Sequence, residues 1–204
     1  MKKTITLLIA LVISTLAIGQ EKETEQIREA GLTLRNLDNF GFSYKVGTKH
    51  SLWRFNAISI SGNKENKDFK GDDKDSNHFG LGLSIGKESR KPIAKNLEYR
   101  FGFDFSFNYD HSKRTQQIYS DYNSSYLDTE VKTNYYTPGV NMILGLNYIV
   151  NEHFVLGAEM MPFINYTIGR TKTGEEDNNK TTESTNFRYG FDSSSILLSL
   201  TYRF

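Results

Sequence analysis

The chain has 204 residues, a formal net charge of +1 and no cysteine. Near-neutrality excludes a generalised nucleic-acid binder, and the lack of cysteine excludes disulfides, cysteine metal sites and a lipoprotein anchor. Mean hydropathy is −0.53, a value open to a membrane barrel, whose strands hide half their residues in a polar lumen. Lys2 and Lys3, the apolar run Ile5 to Ile13 and the small residues Ala17 and Gly19 have the layout of a secretory signal peptide, cleaved near Gly19 or Gln20. Beyond it there is no apolar run of the length a transmembrane helix requires. A short charged leader reaches Gln26.

Alternation of side chains then marks a series of strands, because successive residues of a strand face opposite sides. The first is Ile27 to Arg35, with Ala30, Leu32 and Leu34 on one face. Asn36 to Asn39 reads as a tight turn. The second, Phe40 to Gly47, sets Phe40, Phe42, Tyr44 and Val46 against Gly41, Ser43, Lys45 and Gly47. The third, Leu52 to about Gly62, changes phase between Phe55 and Ile58, and a β-bulge near Asn56-Ala57 reconciles the two halves. Asn63 to Asn77 reads as a charged loop. The fourth, His78 to Lys87, sets Phe79, Leu81, Leu83 and Ile85 against small residues, and Glu88 to Asn96, with Pro92, reads as a turn.

The fifth strand, Leu97 to Tyr109, is the most regular. Tyr99, Phe101, Phe103, Phe105, Phe107 and Tyr109 share one face, and Glu98, Arg100, Gly102, Asp104, Ser106 and Asn108 the other. Asp110 to Asn134 reads as a second polar loop. The sixth strand runs from Tyr135 to Val150. The seventh runs from Phe154 to Gly169, with Glu159 on its polar face and Pro162 marking a break in pairing. Arg170 to Asn186 reads as a third loop, and the last strand ends on Tyr202-Arg203-Phe204.

Eight strands whose long and short connections alternate make an antiparallel up-and-down sheet with long loops at one end. Transmembrane barrels have that asymmetry. The expected fold is all-β, an eight-stranded antiparallel up-and-down transmembrane barrel, with a signal peptide at 1–19, a short periplasmic leader at 20–26 and the barrel domain at 27–204. A secreted barrel with an apolar, ligand-binding interior is the soluble alternative. The aromatic faces of eight strands would overfill so narrow an interior.

The leader ending Ala17-Ile18-Gly19-Gln20, the opening GLTLRNLDNFGFSYKVG, the block GLGLSIGKESRKPIAKNLEYRFGFDFSF, the hairpin GLNYIVNEHFVLGAE and the end SSSILLSLTYRF resemble, in order and spacing, the small outer-membrane β-barrel family of Gram-negative bacteria, of the OmpA-like kind. The resemblance covers nearly all of the mature chain. It implies a location in the outer membrane, and the chain is read as a monomer with outer-membrane lipid and the barrel-assembly machinery as partners. It also implies that Tyr202 and Phe204 form the terminal aromatic signal for assembly.

In the barrel reading, Tyr99, Phe101, Phe103, Phe105, Phe107 and Tyr109 form a lipid-facing belt. Arg35, Lys45, Glu98, Arg100, Asp104 and Glu159 point inward, where confined charges must be paired, so a paired lumen network is expected. No catalytic, metal or cofactor site is assigned. The four histidines divide between the two ends of the sheet. Asp110-His111-Ser112 has the composition of a triad, but such groups are recognised by geometry rather than adjacency. An outer-membrane lipid-modifying enzyme is the alternative function. The acidic run in 63–77 lacks EF-hand spacing, and the tyrosines of 110–134 suit either an adhesive tip or strands projecting past the membrane. An extracellular ligand or surface partner would meet the segments 63–77, 110–134 and 170–186.

Overall fold

The computed structural model describes residues 26–35, 39–69, 72–120, 125–174, 180–191 and 195–204. The signal peptide, all of the leader but Gln26, and the Asn36-Leu37-Asp38 part of the first turn lie outside them. Ten strand segments follow one another: β1 (Ile27–Arg35), β2 (Asn39–Gly47), β3 (Ser51–Phe69), β4 (Asp72–Ala94), β5 (Leu97–Ser120), β6 (Ser125–Ile149), β7 (Phe154–Met160), β8 (Phe163–Gly174), β9 (Lys180–Gly190) and β10 (Ile196–Arg203).

Ten segments build eight wall positions. β6 pairs with β7 through Leu144 to Ile149 and with β8 through Glu130 to Asn141, so β7 and β8 are two halves of one strand. The interruption falls at Met161-Pro162, where proline has no N–H to give the ladder. Its carbonyl is still used, accepting the Met142 N–H at 2.9 Å, and Met161 N–H donates to the Ser195 carbonyl at 2.7 Å. β9 and β10 are likewise two parts of the eighth strand. β10 pairs with β7 on one side and with β1 on the other, Glu29 opposite Arg203 through Arg35 opposite Leu197. That last ladder closes an antiparallel barrel, and closure leaves no edge at this level of the wall.

The phase change in β3 is a bulge. Ala57 pairs with Leu83 and Ser59 with Gly82, leaving Ile58 as the extra residue. Phe55 therefore pairs with Ile85, and Ile60 with Leu81.

Three expectations need correction. The polar segments 63–77, 110–134 and 170–186 are largely strand rather than loop. β3 and β4 stay paired out to Phe69 opposite Asp72, β5 and β6 to Ser120 opposite Ser125, and β8 and β9 to Thr173 opposite Lys180. The backbone satisfies its own hydrogen bonds by continuing the ladder, and a sequence polar at both parities permits this once no apolar surface needs covering. The fourth strand does not end at Lys87 but runs to Ala94, with Lys95-Asn96 as the turn. The last strand begins well before Ile196, as β9. These strand extensions form arms on one side of the barrel. Because the β1–β2 hairpin is short, β9 pairs with β8 alone among the described strands, and β3 beyond Ser59 with β4 alone.

At the opposite end the turns are tight. Thr48 and Ser51 exchange backbone hydrogen bonds of 2.8 and 3.3 Å. The Asn151 side chain accepts from the N–H groups of His153 at 2.9 Å and Phe154 at 2.8 Å, an Asx turn.

Candidate functional site

The barrel wall is mostly apolar outside, with Lys87 beside Trp53 as an outward cation, and charged inside. Along β5 the aromatic set faces out, with Phe105 67% exposed and Phe103 50%. Asp104 and Arg100, on the other face, are 0% and 1% exposed. Tyr99 and Tyr109, which end this row, are ten residues apart. At ~3.4 Å per residue and a tilt near 40° that spans ~26 Å across the sheet, the height of a hydrocarbon-facing band. The remaining outward positions are filled by Leu32, Phe42, Ile85, Leu146, Leu156 and Leu200, among others, all more than two-fifths exposed. A soluble barrel has the reverse distribution. This one fits hydrocarbon outside, where only a closed sheet satisfies its backbone.

Inside, alternation brings side chains from β1 to β5, β7 and β10 to one place. Glu88 of β4 is the centre. Its carboxylate lies 3.2 Å from Lys45 Nζ, 2.9 Å from Arg54 Nη1, 2.5 Å from Arg90 Nη2 and 3.6 Å from Arg100 Nη1. Glu159 of β7 takes a bidentate pair from Arg54, 2.9 and 3.0 Å, and lies 3.4 Å from Arg100. Glu29 of β1 takes a second bidentate pair from Arg90, both bonds 2.7 Å, and a bond of 2.9 Å from Arg203 Nε. Asp104 lies 3.4 Å from Arg54 Nε and beside Asn56 and Ser84. Glu98 faces Arg90 and Arg203 at 3.9 Å and accepts from Asn147 at 3.3 Å.

Five cations thus meet five carboxylates, and the cluster is neutral overall. Such balance is what a confined site demands, because a buried charge without a partner costs several kcal/mol. Planar guanidinium groups suit the geometry, since each can engage two carboxylates at once. Below the ions, toward the tight turns, Ile27, Leu52 and Val155 are buried and fill the bore. Inward glycines make room for the long side chains. A Cβ on Gly86 would collide with the Asp104 carboxylate and the Phe103 carbonyl, and one on Gly157 would stand 2.8 Å from Arg100 Nη2.

Of the six inward residues singled out in the sequence, Lys45, Glu98, Arg100, Asp104 and Glu159 stand in this cluster. Arg35 ends β1, half-buried, at the opposite end of that strand from Glu29. Sequence reasoning missed Glu29, Arg54, Glu88, Arg90 and Arg203. Parity held the signal: Glu88 and Arg90 continue the inward set of Ser84 and Gly86, and Glu29 that of Gly31 and Thr33.

The other candidates separate. Strand alternation puts His111 on the outward face, its Nδ1 2.8 Å from Asn134 Oδ1, while Asp110 and Ser112 take the inward parity. Among the described residues no group of three histidine, aspartate or glutamate side chains is placed to hold a metal. At the tight-turn end Tyr202 stacks on His153, ring centroids 5.3 Å apart, and on Phe204 at 6.3 Å. Phe204 and Arg28 exchange backbone hydrogen bonds of 3.0 and 3.4 Å, so this residue remains in the wall.

No family model and no curated protein matches the chain. Among solved structures it is similar to a major outer membrane protein from Thermus thermophilus, at 14% identity over 90% of this chain and 100% of that one, TM-score 0.46. It is also similar to CarO and CarO2 of Acinetobacter baumannii. These show 11% and 9% identity, coverage of 86% and 88% of this chain and 96% and 98% of theirs, and TM-scores of 0.35 and 0.36.

Proposed function

We propose that the chain is an integral outer-membrane barrel whose bore is closed by its ion network and whose arms serve a structural or surface-interaction role, without catalysis. The observation that carries this reading is the inversion of the wall, with aromatic and aliphatic side chains outward and paired charges inward. A narrow barrel filled in this way is a stable plug in the membrane rather than a wide pore. The arms carry the polar segments 63–77, 110–134 and 170–186, which a ligand or partner would meet. The aromatic terminus Tyr202 to Phe204 lies against His153 and Phe154 at the rim and suits recognition by the assembly machinery. The chemistry needs no cofactor, and one copy closes its own sheet, which favours a monomer.

Cell fractionation with gel mobility tests the reading. The folded protein is expected in the outer membrane and to migrate differently before and after boiling. Recovery from the soluble periplasm, with mobility unchanged by heat, contradicts it.

A further inference from the structure

The outward face changes character just above the aromatic belt. Tyr109, Tyr136 and Ile168 lie opposite one another on β5, β6 and β8. Two residues further along, the row reads His111, Asn134, Arg170 and, on β9, Glu183. Two residues beyond that it reads Lys113, Lys132 and Lys172, three lysines directly opposite one another on adjacent strands. Like charges in that arrangement repel, so the row needs negative charge from somewhere.

The protein supplies part of it. Glu130 lies 2.5 Å from Lys113 and also contacts Lys132, and Glu183 lies 3.0 Å from Arg170. Lys172 has no carboxylate partner among the described residues. Among the described residues, four cations therefore face two carboxylates on this outward patch, an excess of two positive charges.

Height selects what answers that excess. The Arg170 row stands ~7 Å along the strand beyond Tyr109 and Tyr136, and the lysine row ~14 Å, or ~5 and ~10 Å along the membrane normal at a tilt near 40°. A headgroup layer occupies the ~5–8 Å outside the hydrocarbon. Arg170 falls inside that layer, and long lysine stems reach back into it. The patch is continuous with the belt, as Tyr109 Oη donates to Asn134 Oδ1 at 3.0 Å.

We propose that Lys113, Lys132, Arg170 and Lys172 form a binding site for the phosphate of an anionic lipid in the leaflet around the arms. Guanidinium and ammonium donors on a convex outward face suit a phosphate monoester or diester. The site rests on the membrane reading given above and adds a specific lipid contact to it.

The test uses the full barrel in phosphatidylcholine nanodiscs containing trace spin-labelled phosphatidic acid or spin-labelled phosphatidylcholine. The share of motionally restricted label reports preference at the protein surface. Two uncompensated cations at a lipid surface give a preference for phosphatidic acid on the order of tenfold at low salt, falling as salt rises. Lys132→Gln/Arg170→Gln/Lys172→Gln is expected to abolish it. Lys91→Gln/Lys95→Gln, at the tight-turn end, is expected to leave it. Lys172→Gln alone, at an exposed residue, gives the same direction with a smaller loss should the triple variant fail to fold.

An unchanged preference in the Lys172 variant, or equal loss in the Lys91/Lys95 control, overturns the site. So does saturable binding of inorganic phosphate to the detergent-solubilised barrel without any lipid preference, which would assign the patch to a free anion. A wild-type chain that does not insert into nanodiscs overturns the membrane reading and the site together. One that inserts without preference overturns the site alone.

Discussion

Removing one member of the Arg54–Glu159 pair tests whether the lumen is held by charge balance. Both side chains are 2% exposed, and their two bonds of 2.9 and 3.0 Å are the geometry of a bidentate pair. Glu159→Gln keeps the shape and removes one of the five carboxylates, leaving a net positive charge in a closed bore. Breaking a buried pair in this way costs about 3–5 kcal/mol. Arg54→Met costs a similar amount, because Glu88 and Asp104 lose the same guanidinium. Arg54→Met/Glu159→Met restores the balance at four against four. It is expected to cost at least about 2 kcal/mol less than the two single changes added, since partners in one network couple. The assay is urea unfolding of the barrel in phosphatidylcholine vesicles, followed by fluorescence of Trp53, the chain's one tryptophan, and by gel mobility. A Glu159→Gln cost under about 1 kcal/mol, or strict additivity in the double variant, would falsify the balance argument.

Three further outcomes follow from the same geometry. Gly86→Ala, whose new methyl meets the Asp104 carboxylate and a backbone carbonyl, is expected to destabilise the barrel by about 1–3 kcal/mol in the same unfolding assay. In planar bilayers the wild-type protein is expected to show no large, steady open channel, and a stable wide conductance would contradict the filled bore. On the arms, hydrogen bonds from Lys113 and Lys132 hold the Glu130 carboxyl below its ordinary value of 4.5. Its stabilising contribution is therefore present above the ordinary carboxylate range and is lost as pH falls through the depressed value. A carbon-13 carboxyl titration is expected to place Glu130 below 4.5, and Lys113→Gln/Lys132→Gln to move it back up.

The barrel was legible because its wall has two unlike faces. Leu97 to Tyr109 alternates without error, and so does Phe79 to Ile85, so parity alone assigns inside and outside. The bulge was legible for the same reason, as Trp53 and Ile60 cannot share a face without an extra residue. The arms were not legible. In Asn63 to Asn77 or Arg170 to Asn186 the sequence is polar at both parities, so no period of two is imposed and a continued ladder resembles a loop. The lumen centre was half-hidden by the same blindness. Pro92 and the density of charge made Glu88 to Asn96 look like a turn, yet Pro92 sits near the end of β4 and Glu88 and Arg90 remain in the ladder. Arg54 was lost in the phase change of β3, and Glu29 behind the charged leader. Charges that look like connecting sequence belong to the interior once the strand is carried two residues further.

The claim beneath all of this is that the outward face meets hydrocarbon, and Trp53 reports on it most directly. The residue is outward, 38% exposed, with Lys87 Nζ 5.9 Å from its ring centroid, and no other tryptophan contributes signal. In vesicles of lipids brominated along the acyl chain, its fluorescence is expected to be blue-shifted, quenched by bromine and protected from aqueous iodide. Iodide quenching with no effect of brominated lipid would place that face in water and contradict the account.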